Sequence, residues 1–125
     1  MPVSLYNVAF DCADPYELGQ FWSKVVDQPL HEEDRPGDDE AMIALPGGPN
    51  LYFQRVPEPK ILKNRVHVCL RPDGDRDLEV QRLIALGASL VEDKRGPEGR
   101  GWVILADPEG NELCVLRSSV SRADS

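Results

Sequence analysis

Residues 40–56, EAMIALPGGPNLYFQRV, and residues 101–116, GWVILADPEGNELCVL, are two versions of one pattern. In each, an apolar strand candidate runs into a turn built on proline and glycine, and a second strand candidate leaves it. Pro46 and Gly48 align with Pro108 and Gly110, and Leu51 and Phe53 align with Leu113 and Val115. Working outward, Leu30 aligns with Leu90, Leu18 with Leu78, and Asn7-Val8 with His67-Val68, all at an offset of about 60 to 62 positions. A constant offset over several elements is the mark of an internal repeat.

The elements between these anchors agree with the repeat. Residues 5–12 read as a strand, with Tyr6, Val8 and Phe10 on one face and Asn7 and Ala9 on the other. Asp14 is a natural helix cap, Pro15 suits the first helical position, and Glu17 follows three residues after the cap. That helix is expected to run to about Asp27, burying Leu18, Phe21, Trp22, Val25 and Val26. Strands are expected at 30–33, 40–45 and 51–56. The second half repeats the order. A strand at 65–71 places Val66, Val68 and Leu70 on one face and His67 and Cys69 on the other. A helix from Asp73 or Asp75 turns Leu78, Leu83 and Leu86 inward and stops at Gly87. Strands then follow at 89–94, 101–106 and 112–116. Repeat one covers about 4–56, a proline- and lysine-rich linker 57–64, repeat two about 65–117, and a polar, frayed tail 118–125.

The length of 125 residues suits one domain, and the net charge of −8 makes nucleic acid an unfavourable partner. No apolar run is long enough for a membrane span or signal peptide, so a cytoplasmic protein is expected. Cys12, Cys69 and Cys114 are odd in number and lack CxxC spacing, which fits reduced and mostly buried thiols.

The doubled unit, the Asp14-Pro15 helix start with Phe21-Trp22, and the run from Trp102 through Asp107-Pro108-Glu109-Gly110-Asn111-Glu112 together resemble the vicinal oxygen chelate superfamily. The resemblance is closest to its glyoxalase-like, bleomycin-resistance-like members and spans about 5–116. It implies an α+β fold, a single glyoxalase-like domain of two βαβββ repeats forming a curved, mixed, eight-stranded sheet around a cleft, with helices outside. Homodimers are also implied.

In metal-using members the ligands come from the first and last strands of each unit, usually His, Glu or Gln. Those positions here hold Asn7, His67, Tyr52 or Gln54, and Cys114. Only His67 is a usual ligand in its place, and with Cys114 it makes two strong donors, too few for a good site. No metal and no cofactor are therefore expected. His67 is read either as a proton donor or acceptor or as a packing histidine, and both readings stay open. His31 reads as a solvated residue among acids. Cys114 reads as a buried apolar thiol ahead of a nucleophile, and Cys12 and Cys69 as packing residues. Trp102 either stacks on a flat ligand or covers the sheet edge. Glu112 shares the face of Cys114 and is either an acid-base group or a solvated carboxylate. The glycine-rich stretch 96–101 lacks the following helix that a phosphate loop needs, and is expected to be a mobile loop at the cleft mouth.

The resulting expectation is a metal-independent protein binding a small organic molecule in the inter-repeat cleft through Asn7, Tyr52, Gln54, His67, Trp102, Glu112 and Cys114. Two alternatives are a lyase, isomerase or dioxygenase of the same superfamily using His67, and an antibiotic-sequestering resistance protein.

Overall fold

Backbone donors at the start of a helix need acceptors, and Asp14 supplies one. In the computed structural model, which describes residues 2–118, helix α1 spans Pro15–Val26 and the Asp14 carboxylate accepts from the Glu17 amide at 3.2 Å. Strands β1 (Asn7–Cys12), β2 (Glu40–Ile43) and β3 (Asn50–Arg55) accompany it. They form a sheet in the order β1-β3-β2, with β1 parallel and β2 antiparallel to β3. Leu18, Phe21 and Trp22 turn inward from α1, while Val25 and Val26 stay half-buried. The aromatic rings interlock, Phe10 lying 5.2 Å from both Trp22 and Phe53. Gly19 lies at a close approach to Leu30, since a Cβ there would stand 2.7 Å from Leu30 Cδ2.

The strand expected at 30–33 shrinks to one bridge, Leu30 to Ile43. Pro29 brings no backbone donor, and beyond His31 a side chain takes over the ladder: the Met42 amide donates to the Asp34 carboxylate at 3.0 Å. This unit therefore has three strands.

The chain divides into two compact units, the first ending at Lys60 and the second beginning at Ile61. The second contains β4 (Val68–Leu70), α2 (Arg76–Leu86), β5 (Ser89–Asp93), β6 (Val103–Ala106) and β7 (Glu112–Val115), with a short 3-10 turn at Pro97–Gly99. Its mixed sheet runs β4-β7-β6-β5, with β4 parallel to β7. The strand expected from Arg65 starts only at Val68, and Val66 is exposed. Before it the chain is anchored by side chains: the Asn64 amide donates to Glu112 Oε2 and its Nδ2 to Asn111 Oδ1, both at 3.2 Å.

Asp75 caps α2, accepting from the amides of Asp77 and Leu78, and Gly87 ends it. The inward stripe is Arg76, Val80 and Leu83, whereas Leu78, expected inside, is exposed. Spacings of four and three put 76, 80 and 83 on one face, and 78 lies on another. Leu86 is half-buried. The stretch 96–101 is not left loose: buried Arg76 donates through Nη1 to the carbonyls of Gly99, Arg100 and Gly101 at 3.0, 3.0 and 2.8 Å. The frayed tail expected from Ser118 lies, beyond that residue, outside the described residues.

The repeat is legible in the strand registers. Val8 pairs with Leu51 as Val68 pairs with Leu113, and Ile43 pairs with Leu51 as Leu105 pairs with Leu113. Leu30 meets Ile43 as Leu90 meets Leu105. The turns agree too, with Gly48 N donating to Leu45 O and Gly110 N to Asp107 O. The molecule is thus α+β, made of two βαβββ-like units carrying mixed sheets of three and four strands.

Candidate functional site

In the second unit, β4 and β7 pair so that Cys69 lies directly opposite Cys114, and Ile104 of β6 flanks Cys114 on its other side. Side chains at pleat-equivalent positions share a face, so these three project together. His67, two residues before Cys69, joins them. One ligand atom from each of His67, Cys69 and Cys114 lies within 4.8 Å of the others. With Trp102, Ile104, Leu116, Lys63 and Glu112 they line a hollow of about 320 Å³.

The hairpin between β6 and β7 holds this wall in place. Asp107 is buried, and its Oδ1 accepts from the amides of Glu109 and Asn111, both at 2.9 Å, while Oδ2 accepts from Asn111 Nδ2 at 2.9 Å. Asn111 and Glu112 then fasten Asn64, and so set the path of the segment that carries Lys63 and His67. The Asp-Pro-Glu-Gly-Asn run is a structural lock whose effect reaches the hollow.

Burial separates the two thiols. Burial pushes the Cys114 thiol up to about 11, with the neighbouring Cys69 acting in the same direction and Lys63 opposing. Cys114 is buried and Cys69 is exposed. Cys69 is therefore not the packing residue its apolar setting predicted. It is also a third donor beside His67 and Cys114, where sequence reasoning counted two. Its place on the His67 face followed from alternation; its position opposite Cys114 required the register of two strands distant in the chain. Lys63, Ile104 and Leu116 were missed for the same reason.

Of the residues expected at a site, the structure brings together His67, Trp102, Glu112 and Cys114. Asn7, Tyr52 and Gln54 belong to the first unit, on the face of its sheet away from the buried Phe10 and Phe53. There each is engaged: Asn7 Oδ1 accepts from Asn50 Nδ2 at 3.2 Å, Tyr52 donates to Glu40 Oε2 at 2.7 Å, and Gln54 Nε2 donates to Asp11 Oδ1 at 2.8 Å. The bond to the Glu40 carboxylate raises the Tyr52 phenol above its ordinary range. In the second unit, His67, Cys69 and Cys114 offer nitrogen and sulfur, donors that hard divalent ions do not favour. His31 is exposed, its Nδ1 accepting from the Glu33 amide.

Comparison with known proteins agrees with this architecture. Residues 7–116 match the family described as glyoxalase-like domain. No curated protein matches the chain in sequence. A glyoxalase/bleomycin resistance protein/dioxygenase family enzyme from Burkholderia phytofirmans PsJN superposes with a TM-score of 0.72 at 18% identity, covering 94% of this chain and 100% of the other. Fosfomycin resistance protein FosX from Mesorhizobium loti gives 0.68 at 17% identity, with 96% and 94% covered. TioX from Micromonospora sp. ML1 gives 0.62 at 22% identity, with 94% and 100% covered. At such identities the structures speak for the fold. With the family match over almost the whole chain and the doubled strand registers, the chain belongs to the glyoxalase-like domain family of the vicinal oxygen chelate superfamily.

Proposed function

We propose that the protein binds a small organic molecule in the hollow of its second unit, with no hard divalent ion taking part. The observation that carries this is the hollow itself. Its volume is in the range of small-ligand sites, and Trp102, Ile104 and Leu116 give it an apolar wall while Lys63, His67 and Glu112 bring polar groups to the rim. A flat ligand stacked on the Trp102 indole, with one acceptor toward Lys63 and one polar group toward His67, suits this wall. Asn7, Tyr52 and Gln54 were expected in the same role and form a polar row on the first unit's sheet.

Binding is favoured over thiol catalysis because a Cys114 thiol raised to about 11 is protonated near neutral pH and is a poor nucleophile. In the alternative reading as a lyase, isomerase or dioxygenase, His67 is the proposed proton donor or acceptor. Sequestration of an antibiotic is the same act of binding with a drug as ligand. A homodimer is expected as well: the edge strand β5 is exposed along its length and carries Leu90 and Val91. Among the described residues no helix is long and apolar enough to cross a membrane.

The test is a fragment screen read by nuclear magnetic resonance. Ligands are expected to shift the Trp102 indole signal and the signals of His67, and Trp102→Ala is expected to abolish binding. Hits that perturb other surfaces and leave Trp102 and His67 unmoved would sink the reading. Following the same ligands for product then separates binding from turnover.

A further inference from the structure

The cluster of His67, Cys69 and Cys114 is richer than a ligand-binding wall requires. It offers two sulfurs and one imidazole nitrogen, all within 4.8 Å of one another, from adjacent strands of a single sheet. A tetrahedral zinc ion holds sulfur at about 2.3 Å and nitrogen at about 2.1 Å, which sets its donors roughly 3.6 Å apart. Closing from the present spacing takes a side-chain adjustment of about 1 Å, and the exposed His67 and Cys69 can make it without disturbing the core. We propose that His67, Cys69 and Cys114 form a zinc-binding site built wholly within the second unit.

Donor chemistry selects the ion. Two thiolates and an imidazole favour zinc over magnesium, calcium or manganese, which take oxygen. The superfamily's usual pattern draws its ligands from both repeats, and Cys69 has no place in it. The residues of that pattern in the first unit are an amide and a phenol or second amide, each already in a side-chain hydrogen bond. On binding, both thiols release their protons to solvent, leaving a neutral complex of one ion and two thiolates. The geometry of three protein ligands leaves a fourth position for water or for a heteroatom of a molecule in the hollow.

The proposal does not depend on the small-molecule reading, and its test uses the ion alone. Full-length protein, purified without a histidine tag and kept reduced, is titrated with cobalt(II) as a spectroscopic stand-in. The expected result is thiolate-to-cobalt charge-transfer absorption in the near ultraviolet with tetrahedral visible bands, saturating at one equivalent and bleached by zinc. Cys69→Ser and His67→Ala are each expected to weaken binding by more than about tenfold. Cys12→Ser, in the other unit, leaves it unchanged. Both test residues are exposed, so circular dichroism of these variants should match the parent. Cobalt binding without the charge-transfer band, or with equal affinity in Cys69→Ser, would overturn the site. Either failure leaves ligand binding at Trp102 as it stands.

Discussion

Cys114 and His67 are neighbours with opposite relations to solvent, and each makes a distinct prediction. The folded protein holds the Cys114 proton more tightly than the unfolded chain, because burial disfavours the thiolate. Its contribution to stability is present below the ordinary thiol value of 9 and is lost as pH rises through about 11. Alkylation of Cys114 by iodoacetamide, followed by mass spectrometry, is therefore expected to stay slow at pH 9 and to accelerate toward pH 11. The parent should also lose stability over that window relative to Cys114→Ala. His67 is exposed, so His67→Ala is expected to change stability by less than about 0.5 kcal/mol while weakening ligand binding. The half-buried Val68 turns toward the helix side, and Val68→Ala should cost about 1 to 2 kcal/mol. Denaturant midpoints of the two variants decide the matter. If His67→Ala is the more damaged, its role is in packing.

Elements in this protein are joined as much by side chains as by ladders. Arg76 sits at the start of α2, is buried, and holds three consecutive carbonyls of the 99–101 stretch. Removing it deletes a buried guanidinium and its charge-assisted bonds to these carbonyls, so Arg76→Ala is expected to cost about 2 to 3 kcal/mol in urea unfolding, with an unchanged denaturant slope. Gly101 supports the same joint. It has φ +82, and a Cβ there would come 2.0 Å from the Lys94 carbonyl oxygen. Gly101→Ala should therefore destabilise by more than about 1 kcal/mol. These joints explain which elements were legible. The Asp14-Pro15 start, the Gly87 stop and the hairpin strands follow from local chemistry and appear where expected. The strand at 30–33 was lost because a carboxylate, Asp34, competes for the Met42 amide. The strand at 65–67 was lost because Asn64 bonds to Glu112 and Asn111. Local periodicity carries no information about such distant side-chain partners.

For the whole molecule, the repeat organises both units and the family match gives it a name. In the dimer proposed above, two copies would meet along the edge strand β5, whose Leu90 and Val91 are exposed. Light scattering is expected to give the mass of two chains for the parent and one for Val91→Lys; a single-chain parent would remove the dimer. The sequence by itself determined the doubled order of elements, because an offset of about 60 residues places equivalent apolar residues at equivalent ladder positions, as the pairings Val8 with Leu51 and Val68 with Leu113 show. It also determined that His67 and Cys69 share a face, since alternation needs no partner strand. Only the tertiary structure decided that Cys69 stands opposite Cys114 and that Trp102, Lys63 and Glu112 close around them. Which residues face each other across two strands depends on register, and register is set by packing of the whole sheet against its helix.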